Sequence, residues 1–424
     1  MRRARLWPVA LVVLALVFAA GCAENETNPF DPSQDPDPPV VTGFAYSGGV
    51  ATWTTNEPAL CVLEYAPAGG DFRNYVYEST KEHSTAHSVT VLSMDDGGSY
   101  EFRVRSMDRA GNEAYLTDVQ LPATAVGVAF GGPTMTLSVI DVGWGLSMAL
   151  ESPGGTHVLI DSGADYHLDD VEAFLLDHDI TYLDYAVATH YHADHIGGFM
   201  EDGGILDTFW VGDFIGPDTT YILDPMDRGL RDKLNARNID IYTVKQGDDS
   251  SNRDLLDWDD TPGFNVQVLS AGVGTQFAPS PDYIPEDAEG NNDSVVFRFT
   301  FGGVSYVTMG DAEFFVERYI IDRYGRAGVR ADLLQVAHHG NDDGTSPFWL
   351  RNVDPRVGLI SNAMVEAALE KEVVLTALRA ADADYMATDR IVPNTPRNVA
   401  PTYGDLIAVT DGETIEIVTE EHDW

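Results

Sequence analysis

The sequence predicts an α+β protein in which a small all-β sandwich precedes a layered sandwich of two mixed β-sheets with helices outside. Residues 40–124 consist of short alternating apolar runs broken by turn residues, which is the rhythm of a β-sandwich. Residues 134–424 begin with closely spaced strands and turns and continue with alternating strand and helix patterns. A chain of 424 residues is long enough for two or more domains with large cores.

The composition is that of a globular protein with a strong excess of acidic residues. The sequence has 68 Asp and Glu residues against 25 Lys and Arg residues, a formal net charge of -43. Such a charge favours solubility and weakens non-specific binding to nucleic acid, which is itself a polyanion. Cys22 ends the N-terminal segment and Cys61 stands alone, so we expect no intramolecular disulfide framework.

Residues 1–22 have the features of a secretory signal. A basic start is followed by an apolar run from Leu6 to Ala20 and by small residues immediately before Cys22. The pattern resembles a bacterial lipoprotein signal, which implies diacylglyceryl attachment to the Cys22 thiol and a lipid anchor in a bacterial membrane. Because Ala23 rather than Asp follows, the resemblance favours the outer membrane, with the chain on the periplasmic face or the cell surface. The alternative is an ordinary cleaved signal with an incidental cysteine.

The next two segments are a tether and the small β-domain. Residues 23–39 are rich in Asp, Asn and Pro, cannot bury a core, and are predicted to be a disordered tether. Residues 40–124 resemble a fibronectin type III domain, in which Trp53 would be the core tryptophan; such domains are usually spacers or adhesive modules. His83 and His87 lie four residues apart in this region, and we expect them on the surface rather than as a metal pair. The expected strands are residues 43–46, 50–53, 60–65, 87–92 and 100–105.

A dense group of metal-capable side chains lies in the larger domain. His190, His192, Asp194 and His195 fall within six residues, directly after the apolar run 183–188. Such a run predicts a buried strand, and α/β proteins place their sites on the loops just past strand ends. Imidazoles and carboxylates suit zinc, iron or manganese. The spacing therefore predicts a metal site, and a polar loop that is merely rich in histidine is the alternative.

Two more strand ends carry residues of the same kind. Asp311 follows the β-rich run 304–309, and His338 and His339 follow the run 331–337. An isolated Asp at a strand end is more often a turn or cap residue. Three such ends in one domain predict a convergent site, since one ion needs at least three fixed ligands and two ions need more. A helix from Leu168 to His178 is expected ahead of the histidine loop.

With these motifs in view, residues 134–424 resemble a metallo-β-lactamase-fold hydrolase, and specifically the hydrolase domain of ComEC-type DNA-uptake proteins. That fold is a four-layer αββα sandwich, and it implies one or two divalent ions, with zinc or manganese favoured. The matching segments are residues 141–143, 159–163, 189–198, 291–296, 310–313, 338–340, 388–389, 404–407 and 410–412.

The resemblance also implies a role for each matching residue. His190 and His192 would hold the first metal, and Asp311 would bridge the two ions. The second metal would be held by Asp194, His195 and His338. Asp161 would fix the histidine loop, and His339 would contact the substrate. The residues to which the resemblance gives a role are therefore His190, His192, Asp194, His195, Asp311, His338, Asp161 and His339. Because only Asn, Asp and Ser occupy residues 292–294, where many members of the fold have a histidine, the first metal is expected to bind more weakly.

The chain departs from the ComEC pattern on the substrate side. Trp144 and Leu146 stand where that family usually has Gln and Asp, and Asn341 follows the second histidine motif in place of Ser. The family's His-Pro pair before the last amphipathic helix is missing from residues 367–372. The resemblance therefore supports metal binding more strongly than it supports a phosphodiester substrate.

The predicted function is an extracytoplasmic, metal-dependent hydrolase that uses a metal-activated water, with Asp194 or Asp311 orienting the nucleophile. A phosphodiesterase or nuclease acting on DNA is the leading hypothesis. One alternative is hydrolysis of a small ester, lactone or amide, and another is a tethered binding or adhesive protein with a vestigial hydrolase domain. The densest basic run has more the character of a solvated helix face than of a DNA cleft; it comprises Arg228, Arg231, Lys233, Arg237 and Lys245.

Overall fold

A computed structural model of the protein describes residues 37–116, 125–218, 225–276, 290–362, 368–388 and 404–420. The predicted signal, Cys22 and nearly all of the predicted tether lie outside these residues. Among the helices in the described ranges, none combines the length and the apolar composition that crossing a bilayer requires.

The N-terminal part of the chain is all-β, as expected. Its strands are β1 Val41–Ser47, β2 Val50–Pro67, β3 Asn74–Glu78, β4 Ser84–Thr90, β5 Ser99–Asp108, β6 Glu113–Leu116 and β7 Ala125–Val126. The long strand β2 pairs with β1, β3, β4 and β5, and it joins the two strands predicted at residues 50–53 and 60–65 into one. Its first half alternates between buried and exposed residues, whereas its second half is buried on both faces. The fibronectin type III resemblance stays a prediction.

His87 corrects one expectation about this region. The side chain is 3% exposed, and its ring stacks on Trp53 with centroids 5.4 Å apart. Its Nδ1 lies 3.1 Å from Oε2 of Glu78 and its Nε2 lies 3.5 Å from Sγ of Cys61. The surface position expected for His87 is therefore wrong, because its partners come from two neighbouring strands. His83 is half-buried.

The C-terminal part contains two mixed sheets. In chain order its strands are β8 Met135–Val139, β9 Ser147–Glu151, β10 His157–Ser162, β11 Tyr182–Val187, β12 Trp210–Pro217, β13 Asp240–Val244, β14 Phe264–Ser270, β15 Val296–Phe301, β16 Val304–Thr308, β17 Leu333–Gln335, β18 Val357–Ile360, β19 Asp384–Ala387, β20 Asp405–Thr410 and β21 Thr414–Glu420. Strands β14 to β19 form the second sheet in sequence order, and the others belong to the first. Strands β10 to β13 run parallel to one another, as do β16 to β19.

Helices cover the outer faces of both sheets. They are α1 Leu168–Asp177, α2 Ala193–Met200, α3 Ile205–Thr208, α4 Pro225–Ala236, α5 Val273–Gln276, α6 Phe314–Val329, α7 Pro347–Val353 and α8 Ala368–Ala380, with short 3-10 turns at Asp165–His167, Asp254–Leu256 and Ala337–Gly340. Helix α1 ends one residue before the predicted end, and it buries Val171, Phe174 and Leu175, which share one helical face.

Three apolar clusters separate the layers. Val158 and Ile160 of β10 pack in the cluster between the two sheets, together with Phe297 of the second sheet. Leu159, which points to the opposite face of β10, packs against Phe174 of α1. A third cluster lies between the second sheet and helices α6, α7 and α8. The order is therefore helix, sheet, sheet, helix, as the sequence predicts.

The two parts of the chain share one β-sheet. Strand β21 pairs antiparallel with β3, from Thr414 opposite Glu78 to Val418 opposite Asn74. The first sheet thereby continues into the N-terminal strands and counts 15 strands among the described residues.

Buried polar contacts reinforce this junction. The Glu416 carboxylate accepts hydrogen bonds from the Tyr65 hydroxyl and from the backbone nitrogen of Leu92, the latter at 2.5 Å. The Arg356 guanidinium donates to the backbone oxygens of Cys61 at 3.0 Å and Thr80 at 2.7 Å. The N-terminal strands are thus packed into the larger domain and do not hang from it as a separate spacer.

Candidate metal centre

The metal-capable residues meet at the carboxyl ends of the central strands. The histidine loop follows β11, Asp311 follows β16, and the pair His338–His339 follows β17. Asp161 lies at the end of β10, which is the parallel neighbour of β11. Convergence of these strand ends is what the sequence predicts.

Asp194, His195, Asp311 and His339 form the tightest group. Each offers one ligand atom, and these atoms all lie within 4.8 Å of one another. Nε2 of His195 lies 3.0 Å from Oδ2 of Asp311, and Nε2 of His339 lies 3.5 Å from both Asp311 Oδ2 and Asp194 Oδ2. The imidazoles of His195 and His339 and the carboxylate of Asp194 therefore lie near Asp311, close enough for all four side chains to bind one ion.

The histidines and Asp311 carry buried polar atoms that hydrogen bonds within the described residues do not satisfy. These atoms are Nε2 of His190, Nε2 of His195, both ring nitrogens of His339 and Oδ1 of Asp311. A buried donor or acceptor without a partner costs about 1–3 kcal/mol, so several in one place need a common explanation. Nitrogen and carboxylate oxygen are the donors that zinc and manganese take, and the residues present therefore fit a divalent metal.

His190 and His192 lie on the other side of Asp311. Nε2 of His190 is 3.9 Å from Oδ2 of Asp311, and the His190 and His192 rings meet edge to face with centroids 4.5 Å apart. The Ser294 hydroxyl accepts a hydrogen bond from the Asp311 backbone nitrogen at 3.1 Å. His192 thus lies next to His190, and the weaker first metal stays a prediction.

Asp161 supports the centre from below. Its Oδ2 accepts from Nδ1 of His195 at 2.7 Å, and its two oxygens accept from the Thr189 backbone and hydroxyl at 2.7 and 2.6 Å. The backbone of Asp161 takes a left-handed conformation, with φ of 59°. Complete burial raises the pKa of Asp161 in spite of these contacts. The residue thus fixes both the start of the histidine loop and the ring orientation of His195.

The charges of the centre are balanced locally. Burial opposes ionisation of Asp311, but the neighbouring His195 and His339 hold its pKa well below the usual range. Burial likewise disfavours the protonated form of His195, but Asp311 and Asp161 on either side hold its pKa above the usual range. The contacts among Asp311, His195 and Asp161 therefore favour the charged forms of Asp311 and His195 against the effect of burial.

Comparison with known proteins agrees with this geometry. Residues 141–258 match the family model of the metallo-beta-lactamase superfamily. This part of the chain has the metallo-β-lactamase fold. Among solved structures, the metallo-beta-lactamase fold protein YhfI from Bacillus subtilis is similar with a TM-score of 0.36 and 12% identity, over 64% of this chain and 98% of that chain.

Two curated relatives are competence proteins. The chain is 26% identical over 242 residues to ComE operon protein 3 of Bacillus subtilis (strain 168). The match covers 53% of this chain and 28% of that protein. The chain is also 24% identical over 255 residues to competence protein ComA of Neisseria gonorrhoeae. This match covers 60% of this chain and 31% of that protein. The chain therefore spans less than a third of the length of either relative.

His338 and His339 take different positions beside Asp311. His339 is 1% exposed and faces the group around Asp311, whereas His338 is grouped with Glu313 and Asp343. Nδ1 of His338 lies 2.9 Å from Oδ1 of Asp343, and its Nε2 stays 3.8 Å from Oδ2 of Asp311. Both histidines have left-handed backbone angles, with φ of 49° and 55°, so strand alternation does not continue through them. His339 is therefore the more deeply buried of the two and lies slightly nearer to Asp311, and the role of each histidine stays a prediction.

Several supporting residues were not found by sequence reasoning. Oε1 of Gln335 accepts from the backbone nitrogens of Met309 at 2.5 Å and Gly310 at 2.8 Å, which fixes the turn that presents Asp311. Gly310 has φ of +54°, and a Cβ there would lie 2.9 Å from the Thr189 hydroxyl, so glycine is required. In the sequence, Gln335 could have been recognised as a polar residue near the end of the buried run 331–337.

Glu313 was missed as well. Its carboxylate accepts from the side-chain amides of Asn291 and Asn292, each at 3.1 Å. These contacts join the segment 290–294 to the Asp311 turn. In the sequence, Asn291 and Asn292 carry no signal beyond belonging to a segment that matches the family pattern.

The basic run on α4 is largely paired with acids. Nε of Arg231 lies 2.6 Å from Oδ1 of Asp227, and Nζ of Lys233 lies 3.3 Å from Oδ2 of Asp207. The Arg237 guanidinium also bonds to Asp207. These charges are neutralised where they lie, which agrees with a helix face rather than a cleft for a polyanion.

Proposed function

We propose that the protein is a metal-dependent hydrolase. The observation that carries this proposal is the convergence of buried, unsatisfied imidazole and carboxylate atoms around Asp311. A divalent ion held among these side chains would satisfy these atoms together. The half-buried Asp194 keeps one side of the group open to solvent.

The side chains divide the chemical work. His195, Asp194, His339 and Asp311 would hold one divalent ion, and His190 and His192 would hold a second with Asp311 between them. Such ions supply Lewis acidity, which makes water nucleophilic near neutral pH and stabilises the oxyanion that develops on the substrate. Asp194 and Asp311 accept hydrogen bonds only, so they can orient an attacking water and take its proton. Asp161 keeps the proton of His195 on Nδ1, which leaves Nε2 as a donor to the ion.

A phosphodiester is the substrate class that we favour. The support is the weak relation to ComE operon protein 3 and to competence protein ComA, together with the metal-capable residues around Asp311. We further propose that the enzyme acts outside the cytoplasm and is held to the cell envelope by a lipid on Cys22. DNA or a shorter phosphodiester would be the partner of the site.

A small ester, lactone or amide is the second candidate. The observation that favours it is the local neutralisation of Arg231, Lys233 and Arg237, since these residues then offer no free positive surface to a polyanion. A binding or adhesive protein with a vestigial hydrolase part is the third reading, and it predicts neither metal nor turnover.

One experiment separates the three. The purified protein is analysed for bound metal and assayed with single-stranded DNA, bis-nitrophenyl phosphate, nitrocefin and a lactone, before and after chelation. Phosphodiester hydrolysis that is lost on chelation and in Asp311→Asn and His192→Ala variants supports the first proposal. Turnover of the lactone or nitrocefin alone supports the second, and a folded protein with neither metal nor turnover overturns both.

A further inference from the structure

Trp144 stands beside the metal centre. It lies in the loop after β8, and the centroid of its indole is 5.3 Å from the ring centroid of His339, with the planes inclined by 44°. The indole is half-buried, whereas His339 is almost completely buried. An aromatic face at the border of a hydrolytic centre is in a position to meet the substrate next to the bond that is cleaved.

The loop that carries Trp144 is fixed on both sides. The backbone nitrogen of Leu146 donates to the Asp194 oxygen at 3.1 Å, and the Ser361 hydroxyl donates to the Gly145 oxygen at 2.7 Å. Gly145 has φ of +139°, and a Cβ there would lie 2.5 Å from the Asp194 oxygen. These contacts hold the backbone directly after Trp144 against the Asp194 backbone, so a ligand that meets the indole does not have to order this part of the loop.

Further aromatic side chains adjoin this position. A Cβ on Gly143 would lie 2.7 Å from Nε2 of His167, so the imidazole rests against the Trp144 loop. Nδ1 of His167 lies 2.7 Å from Oδ2 of Asp170, which orients the ring. Tyr166 is 69% exposed, and its ring centroid lies 4.7 Å from that of His167. Flat side chains thus border the loop that carries Trp144.

The charges around the centre make stacking an effective means of recognition. The whole chain carries a formal charge of -43. Base–aromatic stacking needs no cation, tolerates any base, and contributes about 1–3 kcal/mol per base.

We propose that Trp144 is a specificity-determining residue whose indole, held 5.3 Å from His339, is the stacking platform for a planar ring next to the scissile bond, namely the nucleobase of a phosphodiester substrate. The proposal rests on the proposed phosphodiesterase function and narrows its substrate class to nucleotides. Trp144 would act through substrate binding and would take no part in proton transfer.

The test compares two substrates that differ only in the ring. A thymidine dinucleotide and its abasic counterpart, which keeps the same phosphodiester, are assayed with wild-type protein and with Trp144→Ala. We expect a rise in KM of about 5- to 140-fold for the dinucleotide, from stacking of about 1–3 kcal/mol at 1.4 kcal/mol per tenfold. The kcat should change little, because stacking stabilises the bound ground state and the transition state alike. The abasic substrate should be unaffected.

Two control variants make the result specific. Trp144→Phe keeps a ring and should retain most of the affinity, which also shows that the loop tolerates substitution. Trp210→Ala removes an indole that is 65% exposed at the start of β12, and it should change neither substrate. Equal effects of Trp144→Ala on both substrates, or no effect on either, would overturn the proposal.

A binding measurement separates this proposal from the proposed function. Calorimetric titration of the dinucleotide into Asp311→Asn, with and without Trp144→Ala, reports stacking without turnover. Binding that depends on Trp144 supports the platform even if wild-type protein hydrolyses no phosphodiester, in which case only the proposed activity fails. Binding that is independent of Trp144, or no binding of the dinucleotide, overturns the platform.

Discussion

Nδ1 of His195 lies 2.7 Å from Oδ2 of Asp161, and neither side chain has any exposed surface. The bond directs the opposite ring nitrogen of His195 at Asp311. Asp161 also holds the first residue of the histidine loop through Thr189, so one carboxylate fixes both a ligand and the loop that carries it.

Asp161→Asn should therefore weaken metal binding without unfolding the protein. Asparagine tolerates the left-handed backbone at this position and keeps an acceptor for Thr189, but it loses the charge that orients His195. We expect metal affinity to fall by about 10- to 100-fold, measured by competition with a chelator. Asp202→Asn, in an exposed turn, serves as the control. Unchanged affinity in Asp161→Asn would show that His195 is oriented by other contacts.

His339→Asn and His338→Asn should differ in metal content. Asparagine is again the suitable replacement, since both positions have positive φ. His339→Asn removes a donor from the tight group and should lower the bound metal after gel filtration, whereas His338→Asn should leave it nearly unchanged. The reverse result, measured by elemental analysis, would restore the ligand order that the sequence resemblance implies.

Glu317 should make the stability of the protein depend on pH. The side chain is 1% exposed on α6, and burial raises its pKa to about 7 although Ser346 donates to it. A raised carboxyl pKa means that the folded state binds the proton more tightly than the unfolded state. The stabilisation is complete below the ordinary carboxyl pKa of 4.5 and is lost as pH rises through about 7.

The measurement for Glu317 is the urea midpoint of wild type and Glu317→Gln at pH 5 and pH 8. Because burial raises the pKa of Glu317 from 4.5 to about 7, Glu317→Gln should raise the free energy of unfolding by about 3 kcal/mol at pH 8. The increase should be smaller at pH 5. The hydrogen bond from the Ser346 backbone nitrogen can be kept by the amide oxygen. A difference between the two proteins that does not change with pH would contradict the raised pKa.

Glu416→Ala should destabilise the whole protein and not the N-terminal part alone. The substitution strands the buried donors Leu92 N and Tyr65 hydroxyl, each costing about 1–3 kcal/mol, so we expect a loss of about 3 kcal/mol. Thermal unfolding should remain a single transition, because one sheet runs through both parts. Glu413→Ala, an exposed neighbour in the turn before β21, is the control. Two separate transitions in either variant would show that the parts unfold independently.

The metal centre was predictable where its signal is local. The spacing of His190 to His195 after an apolar run predicts both the loop and its chemistry, and helix α1 was placed to within one residue. The directions of the His338 and His339 rings were not predictable, because two successive left-handed residues leave no periodic pattern. His87 was misplaced on the surface for a different reason: its burial depends on Glu78 and Cys61, and sequence spacing does not indicate that they lie beside it.

The junction of the two parts was also beyond sequence reasoning. Residues 40–124 have the length and rhythm of an independent sandwich, which suggested a spacer. The pairing of β3 with β21 joins segments that lie far apart in the chain, and no local pattern in either strand identifies the other as its partner. Arg356 and Glu416, whose charges are buried against the N-terminal strands, were indistinguishable in the sequence from surface residues.

The shared sheet has a consequence for self-association. Strand β21 is rich in β-branched residues, and both Ile415 and Ile417 are fully buried. An uncovered strand of this kind offers a row of backbone donors and acceptors to other chains, and its apolar composition favours cross-β stacking. Because β3 occupies that row, the N-terminal strands shield the larger domain from edge-to-edge aggregation, and proteolytic loss of them would uncover β21 as the segment on which aggregates nucleate.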